Sequence, residues 1–157
     1  MRINEAVDEE PALRTTNSAS LNGLRVLVVD DEPDARELMK TALERRGIEV
    51  TTAIDTNEAL ETLKRERPDV IISDIGMPGL DGYTLIRRVR QLTEEEGGRT
   101  PAAAVSAYVG EESRQQALEA GYELYVTKPL DPDELINVVQ RLAKSRTQDS
   151  ELRTQNE

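Results

Sequence analysis

The sequence predicts a doubly wound α/β domain, a five-stranded parallel sheet covered by helices on both faces. Three observations predict it. Short β-branched runs alternate five times with amphipathic helical stretches. The run at 24–29, which ends in acids, reads as a strand buried on both faces. With no Phe or Trp, the core is left to Leu, Val, Ile and Ala, a composition that suits such a sheet. Parallel neighbours need crossover connections, and right-handed ones dominate.

The first strand is read at residues 24–29, a β-branched run ending in Asp30 and Asp31. From Pro33, suited to a first helical turn, the residues Ala35, Leu38, Met39, Ala42 and Leu43 share one helical face, and Gly47 stands where a C-terminal cap belongs. A strand at 48–53 and a helix at 56–67 follow, and Pro68 punctuates the approach to a strand at 69–73. A loop at 74–82 leads to a helix at 83–92. The run from Glu94 to Gly98 reads as a solvated helix end and turn. Next come a strand at 102–105 and a helix at 111–120. That helix offers mainly Ala117, Leu118 and Ala120 to a core, so its packing is expected to be the weakest and the most easily shifted. A strand at 124–126 precedes the last helix, which starts at Pro132 with Leu135, Val138, Val139 and Leu142 on one face. Residues 1–21 and 145–157 are polar without apolar period and read as disordered tails, leaving 22–144 as the folded unit.

Composition narrows the chemistry. A net charge of −11 disfavours a binder of nucleic-acid phosphates, which normally presents a basic face. Zero Cys and zero His remove disulfides, thiolate and imidazole ligands, imidazole catalysis and any phosphohistidine on these residues. No apolar stretch approaches the roughly 20 residues of a membrane helix. The opening residues lack a signal-peptide core, so the expected location is cytoplasmic.

Ligands of open α/β sheets bind beyond the carboxyl ends of the strands. There the sequence sets Asp30 and Asp31 after strand one, Asp74 after strand three, Ser106 after strand four, and Lys128 after strand five. Three crowded carboxylates repel one another unless a hard divalent cation neutralises them, and Mg²⁺ prefers oxygen ligands. Such a cation would draw a phosphoryl group against a carboxylate, with Lys128 and Ser106 left to hold its other oxygens. The suggested chemistry is phosphoryl transfer to an aspartate. Each residue alone has a blander reading. Asp30-Asp31-Glu32 before Pro33 could serve only as helix N-terminal acids, and Tyr125 could simply fill space. Their convergence at one sheet edge favours the site.

Four segments carry a resemblance: Val28-Val29-Asp30-Asp31-Glu32-Pro33, Ser73-Asp74-Ile75-Gly76-Met77-Pro78-Gly79-Leu80-Asp81-Gly82-Tyr83, Val105-Ser106-Ala107, and Tyr125-Val126-Thr127-Lys128-Pro129. In order and at strand ends, they resemble the receiver domains of bacterial two-component response regulators over about residues 24–143. The Leu21–Leu24 approach and the Asp74–Gly79 loop resemble receivers of hybrid sensor histidine kinases. The resemblance implies a (βα)5 flavodoxin-like fold with strand order 2-1-3-4-5. It also implies a phosphoprotein with Asp74 as phosphoacceptor, and Mg²⁺ held by Asp31, by Asp30 largely through water, by Asp74 and by the Gly76 carbonyl. Lys128 and Ser106 would contact the phosphoryl group, Tyr125 would act as the switch aromatic, and Lys128-Pro129 would be cis. Gly76 and Tyr108 occupy the two positions that tune phosphate lifetime.

The implied role is a signalling switch rather than an enzyme, one that catalyses only its own phosphorylation and dephosphorylation. Its donor would be a sensor histidine kinase or histidine phosphotransfer protein. With no effector domain after 144, output falls to a downstream protein, a homodimer or relay. Two alternatives stand beside this: a binding-only receiver-like scaffold, and an aspartate-nucleophile phosphatase of the dehalogenase type. The phosphatase requires a second acid two residues after the nucleophile, where Asp74 has Gly76. A dinucleotide module is disfavoured by Asp31-Glu32-Pro33 after the first strand.

Overall fold

The computed structural model describes residues 21–77, 79, 81–107 and 110–156, with side chains as far as 144. The expected tail at 1–20 and Tyr108 lie outside the described residues. Five strands and five helices alternate: β1 (Arg25–Val29), α1 (Pro33–Glu44), β2 (Glu49–Ala53), α2 (Thr56–Glu66), β3 (Val70–Asp74), α3 (Gly82–Gln91), β4 (Ala102–Ser106), α4 (Glu111–Ala120), β5 (Leu124–Thr127) and α5 (Pro132–Asn156). The strands form one sheet in the order β2-β1-β3-β4-β5, and every pair is parallel. This is the doubly wound (βα)5 sheet expected from the sequence.

Successive side chains of a strand point to opposite faces, and the three central strands β1, β3 and β4 are buried on both, while the edge strands β2 and β5 are partly exposed. Leu27, Val29, Ile71, Ala102 and Ala104 join one core cluster with Leu63 of α2, Leu85 and Ile86 of α3, and Ala117 of α4. Val26, Val28, Val70, Ile72, Ala103 and Val105 join the other with Leu43 of α1 and with Leu135, Val139 and Leu142 of α5. The uninterrupted apolar runs are therefore strands with helices above and below. Four of the five residues of β4 are Ala or Val and all five are buried, so backbone from both layers packs close to the strand that carries Ser106.

Local chemistry sets several boundaries. Asp55 and Asp81 cap α2 and α3 by accepting from the amides of Glu58 and Thr84. Pro33 opens α1. Thr93 and Glu96 form a reciprocal capping box over a single 3-10 turn, Glu94–Glu96, where a plain solvated turn was expected. As expected, α4 is thinly packed: it buries only Ala117 and Ala120, and its N-cap, Gly110, offers no side-chain bond.

Three expectations need correction. Leu38 is 72% exposed, not on the buried face of α1, where Leu43 is the only fully buried residue. The helix sits at a sheet edge and packs through a narrow stripe. Leu21 is buried in the core although it was assigned to the tail, because the hydrogen bond from Gly23 to Gly47 folds this segment over the α1–β2 turn. The backbone of α5 continues as helix to Asn156, past the expected end at 144; no Gly or Pro follows Pro132 to stop it. Among the described residues, no helix is long and apolar enough to cross a membrane.

Candidate functional site

Strand register brings the polar residues together. β1 pairs with β3 so that Val29 lies beside Ser73, which makes the next residues, Asp30 and Asp74, neighbours at the carboxyl edge. β3 pairs with β4 through Asp74 and Val105, leaving Ser106 one step further along. Ser106 pairs with Thr127, after which comes Lys128. The Lys128 amide donates to the Ser106 carbonyl at 2.8 Å, and Lys128-Pro129 is cis, as expected.

Asp30 is fully buried. Its Oδ1 accepts from the Glu32 amide at 2.9 Å, while Oδ2 is buried without a hydrogen-bond partner. The Lys128 Nζ stands 3.6 Å from that Oδ2, which is an ion-pair distance and too long for a hydrogen bond. Lys128 lies nearer Asp74, at 3.3 Å from Oδ1. Asp31 is exposed at the rim. One oxygen from each of Asp30, Asp31 and Asp74 lies within 4.8 Å of the others.

One ammonium thus faces three carboxylates. Burial pushes the Asp30 carboxyl above the usual carboxylate range; the Glu32 amide opposes this, and the nearby Asp74 charge adds to it. Burial would lower the Lys128 ammonium, but Asp30 and Asp74 outweigh burial and raise it, so the lysine stays charged. The orphaned Asp30 Oδ2 and the excess of negative charge fit a hard divalent cation. The donor set is oxygen throughout.

Ser106 is buried at the carboxyl end of β4. Tyr125 is half-buried and packs against the core on the α2–α3–α4 side, two positions from Thr127 in β5. Gly76 is exposed, and a Cβ there would meet open space.

Two further residues support this edge. Arg36 of α1 donates to the Asp30 carbonyl at 2.8 Å and holds the β1–α1 turn. Its position three residues after Pro33 was the available signal. Tyr122, before β5, donates its phenol proton to the Gly82 carbonyl at 2.8 Å. The aromatic directly after Gly121 could have drawn attention to it.

The model for the response regulator receiver domain matches residues 26–140. The chain belongs to the response regulator receiver family. This receiver is 48% identical over 122 residues to an uncharacterized 14.6 kDa protein of Leptolyngbya boryana, with 78% of this chain and 92% of that protein covered. It is 38% identical to the transcriptional regulatory protein PrrA of Mycobacterium tuberculosis, over 78% of this chain and 51% of PrrA. It is 34% identical to the sensor histidine kinase RcsC of Escherichia coli, over 90% of this chain but 15% of RcsC. The receiver therefore spans about half of PrrA and a small part of RcsC. Among solved structures, the chemotaxis protein CheY4 of Vibrio cholerae superposes with a TM-score of 0.72 at 32% identity, covering 76% of this chain and 98% of CheY4. These likenesses put the receiver in two-component signalling.

Proposed function

We propose that this receiver is a phosphoacceptor switch of a two-component phosphorelay, taking a phosphoryl group from a partner's phosphohistidine onto Asp74. The observation that carries the reading is the pairing of three carboxylates within 4.8 Å with a lysine 3.3 Å from Asp74. That cluster has the charge for a divalent cation and a spare cation for an incoming phosphoryl oxygen. The 157 residues contain no histidine, so the donor's imidazole lies outside them. Similarity to the sensor histidine kinase RcsC supports a sensor kinase or phosphotransfer protein as that donor.

In this reading an Asp74 carboxylate oxygen attacks phosphorus as the donor's P–N bond breaks, and the bonding pair leaves with the imidazole. Asp30, Asp31, Asp74 and the Gly76 carbonyl would hold Mg²⁺, which when bound supplies neutralisation of the crowded acids and of the phosphoryl oxygens. Lys128 exchanges its pairing with Asp74 for one with a phosphoryl oxygen, and the Ser106 hydroxyl donates to another. Water attack at phosphorus later returns the carboxylate and inorganic phosphate. No other substrate is turned over.

Ser106 moving toward the phosphoryl group draws on the β4–α4 connection, and Tyr125 follows into the space released. Because α4 buries only two alanines, a shift there costs little compared with one in α2 or α3, which bury four residues each. Output is then read on the face of α4, β5 and α5 by a downstream protein or a second copy. Amide spectra with and without Mg²⁺ and phosphoramidate test this. The largest shifts are expected at Ser106, along α4 and at Tyr125. Shifts confined to the loop after Asp74 would contradict the switch while leaving the acceptor role intact.

A further inference from the structure

Tyr122 lies at the corner between α4 and β5 and is buried, outside the set of groups that would touch a phosphoryl group. Its phenol donates to the Gly82 carbonyl at 2.8 Å and lies beside the Ser73 side chain. Ser73 in turn donates to the carbonyl of Asp74 at 3.1 Å. Gly82 donates its amide to the Ile75 carbonyl at 3.0 Å. It approaches so closely that a Cβ would meet the Asp74 carbonyl oxygen at 2.6 Å and Ile75 Cα at 2.7 Å. One buried hydroxyl therefore holds the residue that closes the acceptor loop onto α3 and lies beside the residue before Asp74. We propose that Tyr122 is a positioning residue for Asp74, with its hydroxyl fixing the height of the acceptor carboxylate through Gly82, which closes against the Asp74 and Ile75 backbone.

The ring alone would satisfy packing. A buried phenol also needs a polar partner, and here that partner is the Gly82 carbonyl at the end of the acceptor loop. Burial pushes the phenol above its ordinary value, so it keeps its proton and remains a donor. The corner itself is held independently by Arg90, which donates from Nε to the Gly121 carbonyl at 3.0 Å and from one terminal nitrogen to the carbonyls of Gly98 and Thr100. Removing the hydroxyl while keeping the ring should therefore leave the corner docked and loosen the acceptor loop selectively.

The inference rests on the phosphoacceptor reading, and its test separates the two. Wild type and Tyr122→Phe are compared well below their melting temperatures, first without Mg²⁺ or donor for amide exchange at Gly82 and Ile75, then with saturating Mg²⁺ and phosphoramidate for the rate of phosphoryl uptake. Exchange at Gly82 is expected to quicken by about fivefold or more while amides of β1 and β2 do not change. Uptake is expected to slow by about tenfold, a loss typical of a displaced reacting group. Gly82 exchange and uptake both within about twofold of wild type in Tyr122→Phe would overturn the proposal. If Tyr122→Phe does not fold, the same readouts on Tyr122→Met, which also lacks the hydroxyl, decide it, with wild-type behaviour overturning it. If wild type takes up no phosphoryl group, the phosphoacceptor reading fails, and Gly82 exchange alone decides whether the hydroxyl holds the loop.

Discussion

Replacing Asp30 with asparagine is expected to stabilise the metal-free protein and to weaken its hold on Mg²⁺, two effects of opposite usefulness from one charge. Asp30 is fully buried and one of its oxygens has no hydrogen-bond partner. Its carboxyl is raised by burial and by the Asp74 charge. An amide keeps an oxygen for the Glu32 amide and removes the repulsion. The gain should be about 1–3 kcal/mol, the scale on which removing badly solvated buried charge stabilises proteins. Mg²⁺ affinity should fall by about 10–100-fold. The pH dependence has a definite sign. A carboxyl whose folded pKa is raised binds its proton more tightly folded than unfolded. Its contribution to stability is thus present at low pH and is lost as pH rises from the ordinary carboxylate range through the folded pKa of Asp30. Over the same window Mg²⁺ affinity should rise, because the cation must displace that proton. Thermal melts and Mg²⁺ titrations across this window check both trends, and Asp30→Asn should flatten them.

Lys128→Met is expected to move the metal-free protein the other way. The methionine keeps the apolar stem, but Asp30 and Asp74 lose the ammonium that stands 3.6 and 3.3 Å from them. Because the Lys128 side chain is 30% exposed, solvent screening reduces the loss below that of a fully buried pair, to about 1–3 kcal/mol. Mg²⁺ should bind this variant several-fold more tightly, since a competing positive charge has gone. Phosphoryl uptake should nevertheless fall, because one phosphoryl oxygen loses its partner. Tighter metal binding combined with slower chemistry is the signature that separates a phosphoryl-contacting lysine from one that only balances charge.

Most of the sheet was legible because fully buried parallel strands carry continuous β-branched runs, as at Val70–Asp74. The site was legible because each of Asp30, Asp74, Ser106 and Lys128 stands at the end of such a run. Register then turns four sequence positions into one cluster. What the sequence does not carry is depth along a helix. Leu38 has the spacing of a core residue yet lies outside the narrow stripe that α1 buries at the sheet edge. Leu21 is a lone apolar residue beyond a polar stretch, and only its fold over Gly47 makes it core. Tyr122 carries no motif; its meaning lies in which carbonyl its hydroxyl reaches across 40 positions of sequence. Arg36 reads as one more charge on a helix until its bond to the Asp30 carbonyl is seen.

The central claim is that Asp74 accepts a phosphoryl group. Intact mass of wild type and Asp74→Ala, each incubated with Mg²⁺ and excess phosphoramidate, tests it directly. The account predicts that wild type gains the mass of one phosphoryl group, that chelating Mg²⁺ suppresses the gain, and that Asp74→Ala gains none. An unmodified wild type under saturating donor, or equal labelling of Asp74→Ala, would contradict it.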